Sequence, residues 1–255
     1  MEIKQPYATN FLFYVKIGNK FMKKKGVIME SNTVLNDELV KKPSIFSMIT
    51  SPTLQFQRMR TQKPILLPLI IILFLTIITS ALFSYVTLNN PVLKQMNNTS
   101  AFQIPTYISF LTTFGFAAVS GIISVFCAPI FYKNIMIFFG VDTTYKEVLC
   151  VTLYSIFIMK LGMLLNGTIA VLLGDYQISY TSLAPLLTDN LILYAMAQRV
   201  DVFAIWYYIV LGIGLYVLTG LHKKKIMILV IVLFIITTTL MSMGGIMQEM
   251  TKPPM

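Results

Sequence analysis

Lys160 is the residue in this chain whose position most demands a chemical explanation. It stands inside the apolar run V-L-C-V-T-L-Y-S-I-F-I-M-K-L-G-M-L-L-N-G-T-I-A-V-L-L. If that run crosses a membrane, an ammonium group near its centre costs about 2.5–3.5 kcal/mol on insertion scales. A carboxylate would offset the cost. The acids are Glu2, Glu30, Asp37, Glu38, Asp142, Glu147, Asp175, Asp189, Asp201 and Glu249, and none lies deep in an apolar run. Asp175 is some 15 residues further along, about 22 Å of helix, too far for a direct pair. Lys160 therefore uses carbonyls or hydroxyls, reaches a water-filled cavity, loses its proton, or meets an acid of another subunit. The bland alternative is a snorkelling lysine with an apolar stem and a charge carried toward the surface.

Other chemistry is thin. His222 is the single histidine and adjoins Lys223, Lys224 and Lys225, a setting that fits an interfacial residue better than a base or ligand. Cys127 and Cys150 fall at or near the ends of apolar runs, suit buried thiols and show no zinc spacing. No Walker loop, zinc-protease motif or histidine-based triad is present, and paired intramembrane carboxylates are missing. No enzyme, cofactor or metal is expected. The net charge of +10 raises nucleic acid as a partner. The basic residues mostly flank apolar blocks, however, so membrane topology explains them better.

The elements that must position Lys160 are membrane helices. Hydrophobic residues make up 56% of the chain and charged residues 12%. A soluble domain is nearer half apolar and a quarter charged. Five blocks reach the roughly 20 residues that span a bilayer: 64–88, 105–132, 148–173, 202–220 and 226–247. A backbone in lipid must satisfy its own hydrogen bonds, so these blocks are helices, and no alternating pattern supports a barrel. The expectation is an all-α polytopic membrane protein, a five-helix bundle. Between the third and fourth blocks, Pro185, Asp189, Asn190 and Arg199 argue against a sixth span. Thr188 or Asp189 can cap a short surface helix there.

Charge orients the bundle. With the N-terminus inside, the inner segments carry Lys41, Lys42, Arg58, Arg60, Lys63, Lys133, Lys146 and Lys223 to Lys225. The outer ones carry Lys94, Arg199 and Lys252, so the bias obeys the positive-inside rule. The C-terminus is then extracytoplasmic. Arg58, Arg60, Lys63 and Lys223 to Lys225 are expected as basic anchors facing anionic lipid. Residues 43–60, P-S-I-F-S-M-I-T-S-P-T-L-Q-F-Q-R-M-R, read as two short amphipathic helices on the inner leaflet, broken at Ser51-Pro52. The alternative is a solvated linker. Asp201 is expected to cap the fourth span, with Trp206, Tyr207 and Tyr208 in an outer aromatic belt. Ala117 and Gly121 give small-xxx-small spacing, and Gly212, Gly214 and Gly220 allow close helix approach. Residues 1–42 are a basic and polar tail, and 248–255 a short C-terminal one. Within the first, K-K-K-G-V-I-M at 23–29 can be encoded as a ribosome-binding stretch followed by a start codon. Translation is expected to begin at Met29, with 1–28 read from upstream sequence; the alternative is a genuine disordered tail.

The stretch D-V-F-A-I-W-Y-Y-I-V-L-G-I-G-L-Y-V-L-T-G-L-H-K-K-K, residues 201–225, resembles the Yip-type membrane proteins. Residues 43–60 resemble that family's segment before the first span. F-F-G-V-D-T-T-Y-K-E-V-L-C-V-T-L-Y-S, residues 138–155, resembles its loop into the third. Where the family often has Gly-Gly this chain has Gly140-Val141, and the frequent proline of the third span is missing. The resemblance covers roughly 43–247. It implies five spans, no catalytic residues and a role in organising membranes or binding partners. A bacterial member in the plasma membrane is expected, bound to lipid and to other integral membrane proteins such as an ABC-type exporter or an envelope-stress complex. A homo-oligomer is also allowed. The competing class is a small-solute or ion transporter or channel, resting on Lys160.

Overall fold

The computed structural model describes residues 39–99, 103–176, 179–187 and 190–250. Met29 and the tail before residue 39 lie outside the described residues, as do Thr188, Asp189 and residues 251–255. Among the described residues the chain is all-α, with one isolated antiparallel bridge between Ser182 and Asp201. A 3-10 turn, Phe46–Met48, precedes α1, Pro52–Arg58. Then come α2 (Leu66–Leu88), α3 (Pro91–Thr99), α4 (Thr106–Phe138), α5 (Tyr145–Leu173), α6 (Leu191–Ala197), α7 (Val202–Thr219) and α8 (Lys223–Met250). Five of these, α2, α4, α5, α7 and α8, are long and apolar enough to cross a membrane.

Local sequence explains most of the ends. Thr144 and Glu147 form a capping box that starts α5 three residues before the apolar block at Val148. Gly174 (φ 64°) ends α5 and Gly220 (φ 66°) ends α7, both left-handed. Gly220 thus serves as a helix stop. Asp201 caps α7, its carboxylate accepting from the N–H groups of Phe203 and Ala204. Pro52 opens α1, but the Ser51 side chain makes no cap bond. The short helix after α5 is capped by Asn190, whose side chain accepts from the N–H groups of Ile192 and Leu193.

α5 is the axis of the bundle. In its apolar stretch 67% is buried, against 11% for α4 and 22% for α8. α2 and α4 pack on one side of it, and α7, joined to α8, on the other. Glycines set the approach. A Cβ at Gly214 would lie 2.5 Å from Val151 and 2.8 Å from Phe56; one at Gly212 would lie 2.9 Å from Val230 of α8. A Cβ at Gly121 would lie 2.7 Å from Thr76 of α2. Ala117, one turn away, is half-buried.

The lead-in segment is built into the bundle. Met48 and Phe56 are buried, and the Phe56 ring fills the space left by Gly214. The buried Gln55 side chain accepts from Ser44 N–H at 2.9 Å and from the Arg58 guanidinium at 3.3 Å. This corrects the expected anchors. Arg58 is only 8% exposed and turned into protein. Arg60 donates to the Val217 carbonyl at 3.1 and 2.5 Å, holding the C-terminal end of α7. Lys63 pairs with Glu147 at 2.6 Å. The physical reason is common to the last two: a helix carbonyl and a carboxylate give charge-assisted bonds that hold these groups on the protein. Lys223, Lys224 and Lys225 are exposed in the first turn of α8, where the helix dipole opposes them.

Candidate functional site: the groove around Lys160

The register between α5 and α7 locates Lys160. Gly162 faces Phe203 and Gly214 faces Val151, so the antiparallel pair keeps step over this length. Lys160 is then level with Ile205, four residues inside the cap at Asp201, or about 6 Å along the axis. α7 has 18 residues to the 29 of α5. It stops short, and the segment between α5 and α7 folds back over its end.

That fold-back is held by a polar clamp. The Asn166 side chain donates to Thr181 Oγ1 at 2.6 Å and accepts from Thr181 N–H at 3.1 Å. Thr181 Oγ1 donates to Asp201 Oδ2. Backbone bonds Leu183 N–H to Val200 C=O and Val202 N–H to Thr181 C=O complete the bridge. Asp201 is therefore an acid far closer to Lys160 than Asp175. Both its oxygens are engaged, one by the helix end and one by the clamp. It holds the architecture of the site and is not the counter-ion of Lys160.

Lys160 lines a groove of about 410 Å³ between α4 and the α7–α8 pair, floored by α5. Its ammonium lies beside Gly121, 4.0 Å from where a Cβ would stand. A side chain at 121 would press on Thr76, and its Cβ would stand in ordinary contact with this cation. The second cation of the groove is Arg199, whose guanidinium donates to the Met241 carbonyl of α8 at 3.3 Å. Ser124, Thr237, Thr238 and the tyrosine hydroxyls give it polar points, and among the described residues no Asp or Glu lines it. No hydrogen bond or ion pair to Lys160 is made among the described residues.

Tyrosines span the groove. Tyr132 of α4 and Tyr207 of α7 share a hydrogen bond of 2.8 Å, and Tyr208 bonds Thr237 of α8 at 2.6 Å. The expected aromatic belt is corrected here. Tyr207 is 6% exposed, Tyr208 packs edge-on to Phe234, and Trp206 is half-buried. Their polar ends find partners inside the bundle, so no headgroup is needed to satisfy them.

A second cavity of about 270 Å³ shares Met159, Met163, Arg199 and Ala204 with the groove and reaches Asp201 and Asn166. A third, about 240 Å³, lies at the lead-in end between Phe56, Arg60, Lys63 and Cys150. Cys150 is buried with its thiol 3.6 Å from Met59 Sδ, whereas Cys127, expected to be buried, is exposed on α4. His222 accepts from Lys224 N–H and sits at the start of α8. No group of three metal-ligating side chains occurs among the described residues.

Sequence reasoning found Lys160 and Gly121 without linking them, and it missed Arg199 as part of the same site. Arg199 enters only because α6 and the clamp bring it onto α8, with Ser242 Oγ donating to the Ala195 carbonyl at 3.4 Å beside it. No local pattern in the sequence carries that information.

Comparison with known proteins places this architecture. Membrane protein YknW of Bacillus subtilis (strain 168) is 34% identical over 203 residues, 77% of this chain and 87% of its own length. No solved structure matches. The Yip1 domain profile matches residues 46–244, from the lead-in turn through the apolar part of α8. The chain belongs to the Yip1 domain family of membrane proteins.

Proposed function

We propose that this protein is a non-catalytic accessory subunit that binds another integral membrane protein, with the Lys160 groove as the point of recognition. One observation carries the reading: Lys160 is a cation within the bundle to which the described chain offers no carboxylate. An ionisable residue inside a membrane segment marks function by default. An Asp or Glu from a partner, presented at the mouth between α4 and α8, would meet it. The lead-in end, with Lys223 to Lys225, faces the cytoplasm of a bacterial cell in this reading. The partner class we favour for a bacterial member is an ABC-type exporter or another envelope complex.

Purification of the full chain from native membranes in mild detergent tests this. A stoichiometric membrane partner that is retained by the parent and lost from Lys160→Met supports the reading. A homogeneous protein that carries a solute across liposome membranes would replace it with a transporter.

A further inference from the structure

We infer that in the partner-free protein the Lys160 groove holds an anionic phospholipid, its phosphate between Lys160 and Arg199 and one acyl chain along the groove. This goes beyond the accessory reading and stands or falls separately from it. Three observations combine. Among the described residues the groove carries two cations and no carboxylate, a charge that favours an anion. Its walls are otherwise largely apolar, with Val125, Ile156, Met163 and Phe234 among them, which a free inorganic anion would leave unfilled. Its volume of about 410 Å³ is that of a chain or a small headgroup, far less than a helix of roughly 10 Å diameter requires.

Depth agrees with this assignment. Arg199 lies two residues before the cap of α7, outside the apolar helix. Lys160 lies about 6 Å deeper, within reach of a long flexible side chain that rises toward a phosphate. The clamp of Asn166, Thr181 and Asp201 ties down the chain just before α7, next to Arg199, and it occupies the described carboxylate of the adjoining cavity. Arg199 retains donors after its bond to the Met241 carbonyl, because a guanidinium has five N–H groups. Ser124, Tyr208 and Thr238 add hydroxyls on the same lining.

The test uses full-length protein reconstituted in phosphatidylcholine vesicles containing spin-labelled phosphatidylglycerol or spin-labelled phosphatidylcholine. The motionally restricted fraction of each label gives their relative association. Parent protein is expected to favour phosphatidylglycerol by about fivefold or more, the preference one cation near the membrane surface gives. That preference should persist at about 1 M salt, where the Debye length of about 3 Å screens surface lysines but not a groove. The double variant Lys160→Met, Arg199→Gln should bring the ratio close to one, and Lys160→Arg should keep it.

Ser124→Phe leaves both charges and obstructs the mouth, so it too should lose the preference; it carries the test if the double variant does not fold. Undiminished preference in the folded variants, or in the parent a preference that salt abolishes, overturns the proposal. Displacement of the labelled lipid by millimolar inorganic phosphate would also overturn it, assigning the groove to a free anion. The accessory reading is scored apart, by whether the same variants retain a protein partner.

Discussion

The Phe56 ring should act as the pin that holds the lead-in segment under the bundle. It is 2% exposed and in contact with the space above Gly214. Truncation of a buried phenylalanine to alanine costs about 3–5 kcal/mol. The loss falls chiefly on the docking of residues 44–59, because the five long helices keep their mutual contacts. At 1.4 kcal/mol per tenfold, the undocked fraction rises by roughly two to three and a half orders of magnitude. Cys150 reports it: the residue is 1% exposed and its thiol lies under Met59. In a Cys127→Ala background, Phe56→Ala should speed the reaction of Cys150 with N-ethylmaleimide by up to that factor. Gly212→Ala, which strains the α7–α8 contact instead, should leave the rate near the parent's. An unchanged rate in Phe56→Ala would show that the lead-in segment is not held by this ring.

Further outcomes follow from other contacts. Arg60→Gln removes the cation from the C-terminal end of α7 and should lower stability by about 1 kcal/mol, read as an earlier thermal transition in detergent. Asp201→Ala removes the α7 cap and an acceptor of the clamp; it should cost about 0.5–2 kcal/mol and open residues 179–200 to protease, whereas Asp201→Asn keeps most of the cap. Replacing Lys223, Lys224 and Lys225 with glutamine should weaken the association of anionic lipid with the reconstituted protein by about 1 kcal/mol per lysine at low salt and by little at high salt. A reporter after Lys225 should read cytoplasmic and one after Met255 extracytoplasmic; both on one side would contradict an odd number of spans.

How much of this was legible in the sequence depends on the range of the interaction. The five long helices follow from apolar length alone, because lipid leaves the backbone no alternative. The cap at Asp201, the start at Pro52 and the close approaches at Gly212 and Gly214 follow from residue type and position. Thr144 and Glu147 were legible as a capping box too, but counting apolar residues starts α5 at Val148 and passes over them. α3 is polar, and its sequence lacks the long apolar run that marks the spans. The rest is long-range. Arg60 meets Val217 across 157 positions and Lys63 meets Glu147 across 84, and nothing near either cation announces its partner. The same holds for the groove. Lys160 was visible as a misfit, but Gly121 and Arg199 reach it only through the folded arrangement of α4, α6 and the clamp. Tyr207 and Tyr208 were placed with the headgroups because amphipathic rings usually sit there; the hydroxyls of Tyr132 and Thr237, which hold them inside, come from other helices.

In the reading proposed above, Lys160 serves something outside this chain. The direct measurement is quantitative co-purification from native membranes with the parent, Lys160→Met and Lys160→Arg at matched expression. Lys160→Met removes a costly charge, so insertion should be equal or better. This variant should lose the stoichiometric membrane partner, while Lys160→Arg, which keeps the charge in a differently shaped group, should lose less. A Lys160→Met protein that keeps its partner in full would leave Lys160 as a tolerated charge in a membrane helix, with no part in recognition.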